Sequence, residues 1–235
     1  MFWVIKIAAT TLGETGGDAV SMSMNLGYLV ATAIFAVIFA IVVTAQIRAK
    51  SFHPALYSAT IIATTTVGTT LADFADRSLG VGYAGGSTIL LILLLGSLWI
   101  WHRTMGSVSV HTVNSPKAEA FYWVTIMFSQ TLGTALGDWT ADTAGLGYTG
   151  AAVVFGGLLL ILVAAYFWTR TSRVLLFWAA FILTRPLGAV VGDFLDKPVS
   201  AGGLALSRYS ASFALLAFIL TALLLVRQRP AAKAH

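Results

Sequence analysis

Cysteine is absent from this sequence, and charged residues make up only 10% of its 235 positions. The lack of cysteine excludes disulfides and thiolate metal sites. Soluble domains carry about 25% charged residues, so this composition and a mean hydropathy of +0.86 exclude an ordinary soluble domain. Phosphate-binding glycine loops, zinc-protease motifs and nucleophile elbows are also missing. We therefore expect that the protein is not an enzyme and requires no cofactor, with a bound metal cation left open.

Long apolar runs take up most of the chain, at residues 29–45, 88–101, 151–168 and 211–226. They approach or reach the length of about 20 residues that a helix needs to cross a bilayer. The net charge of +5 comes from basic residues scattered singly at the ends of apolar segments. Such residues are topology signals and do not form a nucleic-acid surface. The sequence predicts an integral membrane protein whose main partner is the lipid bilayer.

An internal repeat organises the chain, and its third copy begins with TLGTALGD at residues 131–138. Each of four anchor glycines is followed five positions later by an aspartate, and the anchors are separated by 55, 65 and 55 residues. The ten extra residues fall in the polar stretch around 104–116. We predict a first half at 1–103, a cytoplasmic linker at 104–116 and a second half at 117–235, each half carrying two repeats. The anchor glycines are Gly13, Gly68, Gly133 and Gly188, and the aspartates are Asp18, Asp73, Asp138 and Asp193.

Each repeat supplies two helices, so the predicted fold is all-α with eight transmembrane helices. Their spans lie near 2–20, 27–47, 54–76, 83–102, 118–140, 148–169, 173–194 and 204–226. The loops that follow the even-numbered helices hold most of the basic residues, which places them and both termini in the cytoplasm. All four helix pairs then point the same way. This predicts parallel-oriented repeats, arranged as duplicated four-helix halves, with pseudo-symmetry about the membrane normal.

Small residues four positions apart mark one face of each odd-numbered helix. In lipid, helices gain little from hydrophobic burial against one another, and small residues let their backbones approach closely. We therefore assign a helix-packing role to Gly13, Gly17, Gly68, Gly133, Gly137, Gly188 and Gly192.

Acidic residues are concentrated beside this packing face. A carboxylate in the bilayer costs at least about 2.5 to 3.5 kcal/mol, so it normally faces a cavity or a partner. The four motif aspartates either end their helices at the hydrated outer interface or surround a common axis. A ring of carboxylates on an axis would bind a proton or a hard cation. Three further acids are assigned to the interface: Asp76, Asp142 and Asp196.

Other polar residues accompany the aspartates. Thr11, Thr66 and Thr131 stand two positions before an anchor glycine and either supply hydroxyl ligands or bond to their own helix backbone. Glu14 is an extra acid in repeat one. Arg185, next to Pro186 in repeat four, is a candidate counter-ion for the ring or a simple salt-bridge partner. Lys6 either shares the face of Glu14 or reaches to the cytoplasmic interface, and Trp3, Trp123 and Trp178 are predicted as interfacial anchors.

The motifs TLGETGGD, TTVGTTLADF, TLGTALGDW and TRPLGAVVGDF resemble those of a bacterial membrane-protein family built from four tandem repeats of unknown function. The resemblance covers essentially the whole chain. It implies two transmembrane helices in each repeat and, for a multi-pass protein of this kind, the bacterial inner membrane. It implies little about activity.

Two functions remain open at this level. The first is a cation transporter or channel that uses Asp18, Asp73, Asp138, Asp193 and Glu14, with a divalent metal such as Mn or Mg favoured and proton coupling undecided. The second is a non-transporting scaffold or assembly protein in which the aspartates are structural. Either is compatible with a homo-oligomer, and an intramembrane enzyme would require a bound substrate or cofactor.

Overall fold

The computed structural model describes residues 1–49, 51–113 and 115–226, and in these ranges it contains eight α-helices. Their bounds lie within four residues of the prediction, which confirms the all-helical class. Four of the predicted topology signals, Lys50, Arg227, Arg229 and Lys233, lie outside the described residues. The helices are α1 (Phe2–Asp18), α2 (Gly27–Arg48), α3 (Pro54–Asp73), α4 (Tyr83–Met105), α5 (Pro116–Asp138), α6 (Gly147–Trp168), α7 (Arg173–Asp196) and α8 (Arg208–Leu225).

The four odd-numbered helices form a closed inner ring. In this ring α1 packs against α3 and α7, and α5 packs against the same two helices. The order around the ring therefore follows the order along the chain. The first helices of the four repeats surround one axis.

The even-numbered helices lie outside this ring, and each packs on the inner helix of the following repeat. Thus α2 packs on α3, α4 on α5 and α6 on α7, while α8 packs on α1 and completes the circle. The outer helices α2, α4 and α6 begin at tight turns in which glycine adopts positive φ, as at Gly27 (φ 74°), Gly82 (φ 76°) and Gly147 (φ 63°). Glycine has no Cβ and adopts this conformation without strain.

The anchor glycines are the contact points between inner helices. A Cβ added at Gly68 would lie 2.9 Å from the backbone nitrogen of Thr131, so the backbones of α3 and α5 meet there. The other anchors meet side chains of the next inner helix around the ring. Gly13 contacts Thr65, Gly133 contacts Arg185, and Gly188 contacts Thr10. The side chain three positions before one anchor thus lies over the anchor of the preceding repeat.

Five helices of the described chain are long and apolar enough to cross a membrane, namely the four outer helices and α7. The outer helices expose large apolar side chains such as Ile41, Ile92, Leu160 and Phe213. Together with the apolar composition, this makes the chain a membrane protein. The inner helices α1, α3 and α5 are richer in threonine and glycine, and their polar side chains are turned inward.

An aromatic cluster closes the end of the inner ring where the inner helices begin. Trp123 and Trp178 are buried there, and Trp178 packs edge-on against the fully buried Trp101. The Trp178 indole donates a hydrogen bond of 2.9 Å to the carbonyl of Val108 in the linker region. The prediction that Trp123 and Trp178 are interfacial anchors is therefore wrong, because both side chains are buried inside the protein. Tryptophans that are buried in an aromatic core and tryptophans at a membrane interface have the same spacing in such a repeated sequence.

Candidate functional site

The four motif aspartates lie together at the opposite end of the inner ring, which shows that the inner helices run in the same direction. Asp18, Asp73 and Asp138 are the last α-helical residues of α1, α3 and α5, and each is followed by one π-helical turn. Such turns occur often at functional sites. Asp193 lies three residues before the end of α7, which continues unbroken past Pro186. All four aspartates are buried, with at most 2% of each residue exposed.

Two cations bridge alternate pairs of these aspartates. Arg77 Nε lies 2.9 Å from Asp73 Oδ1, and its Nη2 lies 3.4 Å from Asp138 Oδ2. Lys197 Nζ lies 2.6 Å from Asp18 Oδ2 and 3.0 Å from Asp193 Oδ1. Both cations stand nine positions after an anchor glycine. Each therefore joins the aspartate of its own repeat to that of the next.

The remaining two edges of the aspartate ring have no bridging cation among the described residues, and both face Glu14. Carboxylate oxygens of Glu14, Asp18 and Asp73 lie within 4.8 Å of one another, as do those of Glu14, Asp138 and Asp193. Glu14 is 2% exposed and is the residue that the two groups share. We call the five carboxylates of Glu14 and the four motif aspartates the carboxylate cluster.

A further acid extends the cluster on one side. Asp196 is only 8% exposed, and one of its oxygens lies within 4.8 Å of oxygens from Asp18 and Asp193. Arg208 Nε lies 3.2 Å from Asp196 Oδ2 and 3.7 Å from Asp18 Oδ2. The prediction that Asp196 is an interfacial acid is therefore wrong, because the last turn of α7 carries it back toward α1. Asp142, by contrast, is exposed.

Arg185 lies below the cluster on the ring axis and is fully buried. Its Nη2 donates to Glu14 Oε2 at 2.9 Å and to Thr69 Oγ1 at 2.5 Å, and it also contacts Thr134 Oγ1. Glu14, Thr69 and Thr134 each directly follow an anchor glycine. One nitrogen thus contacts the same repeat position on α1, α3 and α5. The Nε and Nη1 atoms of Arg185 have no hydrogen-bond partner in the part of the chain that the structure describes.

Lys6 is a second basic residue inside the ring. It is 3% exposed, and its Nζ donates to Thr184 Oγ1 at 2.7 Å and to the carbonyl of Phe181 at 3.1 Å. The same nitrogen lies 3.8 Å above the centre of the Phe181 ring. Lys6 therefore does not extend to the interface, and the alternative that it does is wrong.

The three threonines predicted as hydroxyl ligands bond to their own helices. Thr11, Thr66 and Thr131 donate to the carbonyl four residues earlier, at 3.0, 2.7 and 3.0 Å. The second of the two alternatives for these residues is the one observed. Their donor hydrogens point along the helix, away from the carboxylate cluster. The threonines that face the axis stand three positions later, at Thr69 and Thr134.

The charges of the cluster do not balance. Six buried acids, Glu14, Asp196 and the four motif aspartates, are paired in the described structure with four cations, Arg77, Arg185, Lys197 and Arg208. Two formal negative charges remain. Burial lowers the pKa of Lys197, but the carboxylates of Asp193, Asp18 and Asp196 together raise it by more, so its pKa stays above the usual value and Lys197 remains charged.

Sequence reasoning missed the bridging role of Arg77 and Lys197, although the sequence contains a signal for it. Each stands four residues after a motif aspartate, a spacing that places both side chains on one helix face. Both also occupy the same position in repeats two and four. Arg208 and Asp18 lie far apart in the sequence, so no local spacing indicates that they pair.

These observations define a helical membrane protein with a buried carboxylate cluster at one end of its inner helix ring. The chain belongs to the family described as Repeat of Unknown Function (DUF347), whose family model matches residues 1–52, 56–107, 121–172 and 176–229. The four matches confirm the predicted tandem repeats, and each contains one inner and one outer helix. No curated protein and no solved structure matches the chain.

Proposed function

We propose that this protein is a cation transporter whose cargo binds in the carboxylate cluster, with Mn²⁺ or Mg²⁺ as the favoured ion. The observation that carries the proposal is the pair of overlapping carboxylate groups that share Glu14. All eight helices then cross the bilayer, and the four repeats lie in parallel around a pseudo-symmetry axis along the membrane normal.

The chemistry of the cluster supports a hard divalent cation. Carboxylate oxygens are the ligands that Mg²⁺, Mn²⁺ and Ca²⁺ prefer, and helix hydroxyls and carbonyls add oxygens of the same kind. The two uncompensated negative charges match one divalent cation, two monovalent cations or two protons. Asp18 Oδ1 is buried and without a hydrogen-bond partner in the described ranges. A buried acceptor of this kind is costly unless a ligand satisfies it.

The axis below the cluster supports a carrier and argues against an open channel. Arg185 Nη2 contacts α1, α3 and α5 at one level, and Lys6 lies farther along the same interior. A cation that passed straight through would have to pass the Arg185 guanidinium in a low-dielectric interior, where repulsion is strong. Transport therefore requires a conformational change that moves Arg185.

Orientation follows from the distribution of basic residues. Arg48, Arg103 and Arg173 lie at the end opposite the cluster, where outer helices end and inner helices begin. Under the positive-inside rule this end faces the cytoplasm, with both termini. The cluster then opens to the outer side of a bacterial cytoplasmic membrane.

The test is a flux assay in proteoliposomes over Mn²⁺, Mg²⁺, Ca²⁺, K⁺ and Na⁺, with a pH reporter to detect coupled protons. We expect Asp138→Asn to lower the flux by about tenfold or more, since losing about 1.4 kcal/mol of ion binding changes occupancy tenfold. Asp142→Asn is the matched control, because Asp142 lies four residues later and is exposed. If both variants transport like the wild type, the cluster does not carry the ion.

A scaffold function has one specific observation in its favour. Arg77 and Lys197 join neighbouring inner helices, so the acids also hold the ring together. On this alternative, no cation crosses the membrane in the wild type. Asp138→Asn then lowers only the free energy of unfolding in detergent.

A further inference from the structure

We propose that Arg185 is a built-in competitor of the transported cation. In the ion-free protein its guanidinium holds Glu14, and an arriving cation takes Glu14 only by displacing it. This inference rests on the proposed function and adds a residue that sets the affinity and the charge preference of the same site.

The first argument is the position of Glu14. It is the one ligand common to both groups of carboxylates that face the axis, so an ion in either group uses it. It is also the carboxylate with which Arg185 forms its ion pair, at 2.9 Å. A divalent cation and the Arg185 guanidinium would therefore attract the same oxygens. In a buried site two positive charges this close repel each other strongly.

The second argument is that Arg185 is incompletely paired. Among the described residues, Nη2 makes all the hydrogen bonds of the side chain, while Nε and Nη1 are buried without partners. Unpaired buried donors cost free energy, most of all when they are charged. The ion pair of Arg185 with Glu14 is therefore held by one nitrogen, and the other two guanidinium nitrogens have no partner among the described residues.

The third argument is a nearby acceptor that can receive the displaced guanidinium. Gln130 occupies in repeat three the position that Arg185 occupies in repeat four, three residues before the anchor glycine. It lies one helical turn from Gly133, which the stem of Arg185 contacts. Gln130 is fully buried, and both atoms of its amide are without partners in the ranges described. In the proposed exchange, its carbonyl oxygen accepts the displaced guanidinium.

The exchange has a consequence for the empty protein. When the ion leaves, Arg185 returns to Glu14, so the carboxylate is not left uncompensated in the membrane interior, where a lone charge is costly. The cargo must also outcompete a tethered charge. This requirement favours a divalent cation over a monovalent one at the same site.

The experiment measures Mn²⁺ binding to purified protein in detergent, using the electron paramagnetic resonance signal of free Mn²⁺. Binding of Mg²⁺ and Ca²⁺ is measured by their competition with Mn²⁺. We expect Arg185→Gln to bind Mn²⁺ about tenfold more tightly than the wild type, because the competitor is gone.

Arg208→Gln is the charge-matched control. It removes the same charge and the same type of side chain from the cluster, but Arg208 pairs with Asp18 and Asp196 and not with Glu14. We expect a much smaller gain in affinity for this variant. Equal gains in Arg185→Gln and Arg208→Gln would reduce the effect to general electrostatics and overturn the inference.

Thr134→Val tests the same idea without removing the arginine. Its hydroxyl accepts a bond from Arg185 Nη2 in the ion-free arrangement, so its loss weakens the competitor and should tighten Mn²⁺ binding about fivefold, a typical effect of one charged hydrogen bond. This variant keeps the inference testable even if Arg185→Gln does not fold. A wild type and variants that do not bind Mn²⁺ refute the proposed function itself. A wild type that binds Mn²⁺ and a Thr134→Val variant of unchanged or weaker affinity refute only the role of Arg185.

Discussion

The inner and outer helices of this protein follow opposite rules of composition. Inner helices carry the carboxylates, two buried basic residues and most of the threonines, and many of these side chains face the ring interior. Outer helices are mainly apolar, with basic residues such as Arg48, Arg103 and Arg208 near their ends, and they expose leucine, isoleucine and phenylalanine. The polar residues are thus enclosed by protein, and the apolar residues face the surroundings. This arrangement suits a protein in lipid, where polar groups must be satisfied internally.

The different surroundings of the inner and outer helices also explain why their hydropathies differ. All four outer helices meet the length and apolarity needed to span a membrane, whereas α7 is the one inner helix that does so in the described chain. A helix surrounded by other helices does not need an apolar surface of its own. Its fit in the ring depends on small residues at the contacts and on paired charges.

The largest expected effect comes from placing a charge on the outer surface. Leu160 in α6 is 70% exposed. If its surroundings are lipid, Leu160→Arg should cost about 3 kcal/mol of insertion free energy, given the difference between leucine and arginine near a helix centre. The measurement is the fraction of expressed protein that stays in membranes after alkaline carbonate washing.

Leu160→Ala is the control for the loss of the leucine side chain and should insert normally. Arg185 shows that the fold contains an arginine at a fully buried inner position. Normal insertion of Leu160→Arg would therefore mean that the face of α6 does not contact lipid.

The next effect tests the close contacts of the inner ring. Gly68→Ala places a Cβ 2.9 Å from the backbone nitrogen of Thr131 and 3.0 Å from the carbonyl carbon of Gln130. Because these are backbone atoms, no side-chain rotation relieves the contact, and α3 and α5 must separate. Overpacking of this kind costs about 1 to 3 kcal/mol. A lowered midpoint of unfolding in mixed micelles of increasing SDS content would show it.

Gly156→Ala is the matched change in an outer helix. A Cβ at Gly156 has no atom within 4 Å in the described structure, and alanine is favoured over glycine in a helix by about 0.5 to 1 kcal/mol. The unfolding midpoint should stay the same or rise. Equal decreases of the unfolding midpoint in Gly68→Ala and Gly156→Ala would contradict the distinction between inner and outer helices.

The sequence predicted the parts of this arrangement that repeat. Four copies of one pattern indicate the helix pairs, the packing glycines and the shared position of the aspartates, because equal sequences occupy equal places in a closed ring. The sequence could not show that α2 packs on α3 of the next repeat, since a short loop is compatible with either neighbour. It also could not pair Arg185 with Glu14, which stand 171 residues apart.

Two features of the site could have been found from local spacing. The i, i+4 relation of Asp73 to Arg77 and of Asp193 to Lys197 predicts ion pairs on one helix face. The prediction for Asp196 fails because the sequence does not show the path of the last turn of α7. Without that path, an acid in an exposed turn and an acid in the buried cluster have the same sequence pattern.

The two bridging cations provide a smaller test within the inner ring. Lys197→Gln removes the bridge between Asp18 and Asp193, and Arg77→Gln removes that between Asp73 and Asp138. Side-chain exposure is 11% for Lys197 and 33% for Arg77, so solvent screens the arginine pair more. We expect Lys197→Gln to lower the free energy of unfolding by about 1 to 2 kcal/mol and Arg77→Gln by less.

The measurement is again SDS-induced unfolding, repeated with added Mn²⁺. Because each variant leaves one more uncompensated carboxylate, bound Mn²⁺ should restore part of the lost stability. A larger loss in Arg77→Gln than in Lys197→Gln would show that exposure does not control the strength of these bridges.

The smallest expected effect distinguishes two sets of threonines on the same helices. Thr66 donates to the carbonyl of Ile62, a bond within its own helix, so Thr66→Val should change the free energy of unfolding by about 0.5 kcal/mol or less and leave flux unchanged. Thr69, one turn closer to the cluster, accepts from Arg185. Its one hydroxyl hydrogen has three acceptors in reach, Glu14 Oε2 at 3.2 Å and the carbonyls of Thr65 at 3.2 Å and Gly13 at 3.3 Å. Thr69→Val removes these interactions and should have the larger effect on unfolding and on Mn²⁺ binding, since bonds to charged groups are about twice as strong as neutral ones. If Thr66→Val impaired flux as much as Thr69→Val, hydroxyls two positions before the anchor glycine would take part in ion binding after all. The distinction between helix-bonded and axis-facing threonines would then have to be abandoned.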